Sequence, residues 1–167
     1  MIRISRMTDY ATVILAALAR EPEACLSAPA LAERTRIGMP TVSKVLKALH
    51  RGGLVRSTRG QHGGYALARP PAAISAAAIL DVIEGPVAVT DCSAGRGQCE
   101  IETTCGVGHA WQRVNLAIRR SLYDVSLAQL AGLDGRSFQM RGFEQELKPA
   151  AGGRAAAALQ RRHTAAG

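Results

Sequence analysis

The chain has no apolar run approaching the roughly 20 residues a bilayer span requires, which argues against a membrane-spanning helix. It has no Cys-x2-Cys pair, the chelate with which structural zinc knuckles usually begin. It carries no Ser-His-Asp set, no paired carboxylates and no P-loop on a plausible common site, so an enzyme is disfavoured. Aromatics are scarce at 4%, which leaves the fold to be read from aliphatic periodicity. Acidic residues are also in deficit, 13 against 21 Lys and Arg, for a formal charge of +8 over 167 residues.

That charge is unevenly placed. Residues 1–70 hold 11 Lys/Arg against 4 Asp/Glu, residues 71–130 hold 4 against 6, and residues 131–167 hold 6 against 3. A basic module beside a mildly acidic one points to a polyanionic partner for the first half. The N-terminus, with Arg3 and Arg6 before an apolar run at 11–19, superficially resembles a signal peptide. Asp9 interrupts that pattern, and Met7, Ala11, Ile14 and Leu18 fall at helical spacing, so the segment reads as a first helix. The expected compartment is the cytoplasm, where the four cysteines are reduced and available for metal or redox chemistry.

Residues 6–20 read as helix. Ser27 is a candidate N-cap, with Pro29 in the first turn, for a short helix to Thr35. Arg36-Ile37-Gly38 is a tight connection. Arg36 stands where such turns often place glycine, and a left-handed arginine costs about 1 kcal/mol. After Pro40, Val42, Val45, Leu46 and Leu49 recur at i, i+3, i+4 and i+7, and Gly52-Gly53 closes the helix. This is a helix-turn-helix whose second helix has a basic outer face. Thr41, Ser43 and Lys44 are the candidates for base edges. Lys44, Lys47 and Arg51 supply phosphate attraction. Two short β-rich runs then flank Arg59-Gly60-Gln61-His62-Gly63, a hairpin that forms a wing. Arg56, Arg59, Gln61 and His62 are its candidate DNA contacts. Ser75 caps a further helix to Glu84, with Ala76, Ile79, Leu80 and Ile83 inward, and residues 91–108 read as a Gly- and Cys-rich loop. From about residue 109, Trp111, Val114, Ile118 and Leu122 form one stripe of a long helix. It carries more apolar surface than a peripheral helix needs, so a partner subunit is expected on it. The fold class is mainly α: a winged helix-turn-helix with a β-hairpin wing and a long C-terminal dimerisation helix. The expected division is 1–70 for DNA binding, 71–132 for the cysteine loop and dimerisation, and 133–167 as a disordered tail.

Cys92, Cys99 and Cys105 lie within fourteen residues, and thiolates in a flexible loop can converge on a soft metal centre. Their wide spacing suits an iron–sulfur cluster, two-iron or four-iron, ahead of zinc or a bare thiol switch. Cys25, alone after the first helix, reads as an ordinary small residue. A fourth ligand is needed. His109 is near in sequence, whereas Asp9 is distant and reaches a cluster only if a partner subunit packs there.

Thr8-Asp9-Tyr10-Ala11, the hairpin from Val55 to Tyr65, the three-cysteine loop and the Trp111 helix occur in an order that resembles the Rrf-two family of bacterial regulators. The likeness spans about residues 1–132. Cys105-Gly106-Val107-Gly108-His109-Ala110-Trp111 looks most like its members that regulate SUF iron–sulfur assembly genes. The resemblance implies a homodimer on a double-stranded DNA operator, each winged helix reading one half-site. It implies cluster ligation by Cys92, Cys99 and Cys105, completed by His109 as in IscR-like members or by the Asp9 position as in NsrR-like ones. The histidine falls one residue later here than in the IscR-like pattern. The function so implied is a cluster-dependent repressor, with a nitric oxide sensor and a cluster-free thiol sensor as alternatives.

Overall fold

The computed structural model describes residues 4–60, 63–94, 99–100 and 105–135. Gln61 and His62 at the hairpin tip, and the tail beyond 135, lie outside the described residues. Helix α1, Arg6–Ala19, buries Ala11, Ile14, Leu15 and Leu18 along one stripe. Helix α2, Ala28–Thr35, starts at Ser27, whose Oγ accepts the Ala30 N–H at 3.3 Å. This hydroxyl satisfies a donor that the first helical turn leaves without an internal partner. Arg36 then adopts the left-handed conformation, φ 56° and ψ 28°, and turns the chain into α3, Met39–Arg51. There Val42, Val45, Leu46 and Leu49 are completely buried.

Strands β1, Val55–Thr58, and β2, Gly64–Leu67, pair antiparallel with Val55 opposite Leu67 and Thr58 opposite Gly64. Leu26 extends this hairpin by one bridge. Its N–H donates to Tyr65 O at 2.9 Å, and the Tyr65 N–H returns the bond at 2.8 Å. Gly64 permits that approach, because a Cβ there would stand 2.7 Å from Leu26 O.

After a 3-10 turn at Pro71–Ala73 comes α4, Ala76–Ile83, capped by Ser75 Oγ on the Ala78 N–H at 3.2 Å. Ile79 and Leu80 are buried and Ile83 packs half-buried against the core, as the period predicts, whereas in the first turn the buried alanine is Ala77 and Ala76 is half-buried. Residues 91–108 are not wholly loop either. Asp91–Ala94 forms a single helical turn, α5, where Thr90 accepts the Ser93 N–H at 2.8 Å and its hydroxyl lies 2.9 Å from Ser93 Oγ. Helix α6 is Gly108–Asp124, and α7, Leu127–Leu130, begins in a capping box between Ser126 and Gln129. The residues before α4 and α7 pair with each other: the Ala76 N–H donates to Val125 O at 2.8 Å and the Leu127 N–H to Ile74 O at 2.7 Å. One core results. Ile14, Leu15, Leu31, Leu46, Leu49, Ile74, Ile79 and Leu127 are fully buried together, each worth about 1.5–3 kcal/mol of transfer free energy.

Candidate nucleic-acid interface and cysteine segment

Because α3 commits its aliphatic stripe to the core, its remaining side chains face outward. Lys44, Lys47 and Arg51 are exposed, and Thr41 and Ser43 are half-buried. Arg56 on β1 and Arg59 beyond it are exposed as well. Among the described residues the ion pairs are Arg34 with Glu21 and Arg119 with Asp81, and neither engages these cations. Their charge is therefore available to a polyanion. The hairpin tip is shaped by glycine: Gly60 has φ 112°, and a Cβ on Gly63 would lie 2.3 Å from Thr58 O. Arg69, which no sequence motif singles out, joins Arg56, Glu23 and Pro71 around an open hollow of about 460 Å³ at the base of the wing.

The cysteine segment is tied to α6 by polar contacts. Asn115, the one buried residue of α6, accepts the Val89 N–H at 3.3 Å, and Gln112 donates to Cys92 O at 3.2 Å. The Thr90 hydroxyl lies 3.1 Å from Cys92 Sγ. Arg119 makes two bonds to Asp81 of α4, at 3.2 and 3.0 Å, and its guanidinium lies 5.7 Å from the Tyr123 ring centre. That paired carboxylate raises the arginine's pKa further. At the other end of the segment, Glu84 accepts from the Thr8 hydroxyl at 2.6 Å and from the Ser5 hydroxyl and N–H. The Ser5 and Thr8 hydroxyls hold the Glu84 carboxyl below the usual carboxylate range. The end of α4 is thus fastened to the first turn of α1, just before Gly85 and Pro86 lead into the cysteines.

Cys92, Cys99 and Cys105 are half-buried free thiols, Cys25 is an exposed one, and His109 and Asp9 are exposed. Among the described residues, no three His, Cys, Asp or Glu side chains stand together as a metal site. The structure therefore does not gather Cys92, Cys99, Cys105, His109 and Asp9 into one cage. The donor set itself, three accessible soft thiols on a segment with open space at Gly106, fits an iron–sulfur group in kind.

A helix-turn-helix with a basic outward face and a glycine-tipped wing defines a DNA-binding transcriptional regulator. The chain belongs to the Rrf2 family, described as iron-dependent transcriptional regulators, whose pattern matches residues 4–132. It is similar to the transcriptional regulator IscR of Vibrio cholerae, 30% identical over 100 residues, covering 60% of this chain and 57% of that protein. Among solved structures it is similar to CymR, the global cysteine regulator of B. subtilis, at 28% identity and TM-score 0.62, covering 79% and 98% of the two chains. It also resembles T. potens IscR, at 27% identity and TM-score 0.60, covering 86% and 96%. These relatives are regulators and not enzymes. Among the described residues, no helix is long and apolar enough to cross a membrane.

Proposed function

We propose that the protein is a cytoplasmic homodimeric repressor of SUF iron–sulfur assembly genes whose own cluster state sets its affinity for the operator. The observation that carries this reading is the pairing, in one Rrf2 chain, of a basic winged helix with three free thiols within fourteen residues. Cys92, Cys99 and Cys105 would hold the group, with His109 or Asp9 of a second copy as fourth ligand. The group would supply sensitivity to iron and oxidants. The protein's own part is mechanical. Lys44, Lys47, Arg51, Arg56 and Arg59 attract phosphates, while Thr41, Ser43 and Lys44 address base edges. Gln61 and His62 are assigned to the wing contact from the sequence. The exposed Trp111, Val114 and half-buried Ile118 of α6 pack against the same face of a second copy. Glu84 on Ser5 and Thr8, and Gln112 on Cys92 O, fasten the cysteine segment to α1 and α6. Rearrangement of that segment can thereby alter how two winged helices meet half-sites one DNA turn apart.

Anaerobic purification with a visible spectrum and iron and sulfide counts, followed by gel shifts on the protein's own upstream region, tests this. Coloured protein whose operator affinity differs from that of the apo form is expected. Colourless, iron-free protein, together with unchanged promoter occupancy when the three cysteines become serine, would end it.

A thiol-sensing regulator is the second reading, favoured by the free thiols and the absence of a three-ligand metal group among the described residues. It predicts iron-free protein that still loses DNA when oxidised.

A further inference from the structure

The first turn of α3 differs from the rest of that helix. Its N-cap, Gly38, brings no side chain and makes no side-chain cap bond. Pro40 has no N–H, and the N–H groups of Thr41 and Val42 are both turned onto Gly38 O, at 2.9 and 3.1 Å. Few backbone donors therefore remain at this tip for a phosphate; within α3 the cations begin at Lys44, and the exposed Arg36 stands in the turn before the helix. Beside the half-buried hydroxyls of Thr41 and Ser43, the tip offers apolar surface: Met39 is 40% exposed and Pro40 is exposed too, at the end of the helix that the proposed function places in the major groove. The apolar group on a major-groove base edge is the C5-methyl of thymine; guanine and cytosine present polar atoms that a thioether leaves unpaired. Methionine suits such a contact, being flexible and polarizable.

We propose that Met39 is a specificity-determining residue, packing on thymine methyl groups and selecting A·T pairs at the half-site positions met by the tip of α3. The proposal rests on the reading of α3 as the helix in the groove, and the test separates the two.

Sites enriched from a random library by the full-length, anaerobically purified protein are resynthesised with deoxyuridine for thymidine, which removes only the methyl group. Wild type should bind the uracil DNA about fourfold more weakly for each methyl contacted, or about fifteenfold for two half-sites. Met39→Ala should bind thymine DNA more weakly by that amount and no longer distinguish the two DNAs. Met39→Leu should retain most of the distinction, which guards against a folding artefact. The double variant Lys44→Ala with Lys47→Ala should weaken binding to both DNAs equally, leaving the thymine preference intact. Equal wild-type affinity for the two DNAs, or an unchanged preference in Met39→Ala, overturns the role of Met39 while the reading of α3 stands. If the double lysine variant binds like wild type, α3 is not the helix in the groove and the assignment of Met39 falls with it.

Discussion

Helices α3 and α6 have similarly clear apolar stripes in the sequence, and the structure treats them in opposite ways. Val42, Val45, Leu46 and Leu49 of α3 are wholly buried, and its outer face is basic. In α6 the buried residue is polar, Asn115, while Trp111 is 42% and Val114 44% exposed. The inner face of α6 holds its own chain through Asn115, Gln112 and Arg119, by hydrogen bonds and an ion pair. Its outer face carries the hydrophobic surface. A helix built this way round lacks an explanation within one chain, since exposed aromatic and aliphatic stripes are unfavourable unless covered. The α3 stripe makes a fold, and the α6 stripe asks for a partner, which is the basis for proposing a second copy there.

The sharpest way to break this contrast is to truncate both stripes. Leu46→Ala should lower stability by about 3 kcal/mol in urea unfolding, since it removes buried methyl groups and leaves a cavity. Val114→Ala, measured at protein concentrations too low for association, should cost less than about 0.5 kcal/mol. Equal losses would mean that α6 packs within its own chain after all. Next in size, Val114→Glu would place two carboxylates against apolar surface in a symmetric pair. It should raise the dimer dissociation constant about 100-fold in sedimentation equilibrium. Wild-type sedimentation behaviour for this variant would remove α6 as the contact.

The same contrast explains how far the sequence could be read. The α3 stripe, the Ser27 and Ser75 caps and the left-handed Arg36 depend on residues within one or two turns, and all stand where the local pattern puts them. The bridge from Leu26 to Tyr65 and the hold of Glu84 on Ser5 and Thr8 join residues far apart in the chain, and no local period signals either. Helix α5 is too short for any periodicity, and its start relies on Thr90. The inward Ile79, Leu80 and Ile83 of α4 follow its local period, whereas the pairing of its leading residues with those before α7 joins segments far apart in the chain. The proposed ligands Cys92, Cys99, Cys105, His109 and Asp9 are the least accessible to such reasoning. No local pattern signals whether such side chains meet, and among the described residues they do not converge.

Within the helix-turn-helix, the strain at Arg36 gives a smaller effect of opposite sign. A left-handed residue with a Cβ costs about 1–2 kcal/mol, and glycine returns about 0.5–1 of that through the entropy of the unfolded chain. Arg36→Gly should therefore stabilise the protein by roughly 0.5–1 kcal/mol in urea titrations, with no change in oligomeric state. A loss of stability would show that the Arg36 side chain holds this turn by contacts that outweigh its backbone strain.

The smallest effect tests the join between the two regions. Glu84 places a negative charge at the first turn of α1, where helix-terminal N–H groups favour it. Its pKa is lowered from the usual 4.5, mainly by the Ser5 and Thr8 hydroxyls. A carboxyl with a depressed folded-state pKa contributes stability that is present above its unfolded value and lost as pH falls through its folded value. Glu84→Gln keeps an acceptor but removes the charge, and because Glu84 is exposed the cost at neutral pH should stay below about 1 kcal/mol. The difference between wild type and variant should shrink toward zero on acidification below pH 4.5 and hold steady above it. A gap that widened at low pH would mean that the neutral carboxyl makes the contact to α1, and that the link from the cysteine segment to the DNA-binding unit does not depend on charge.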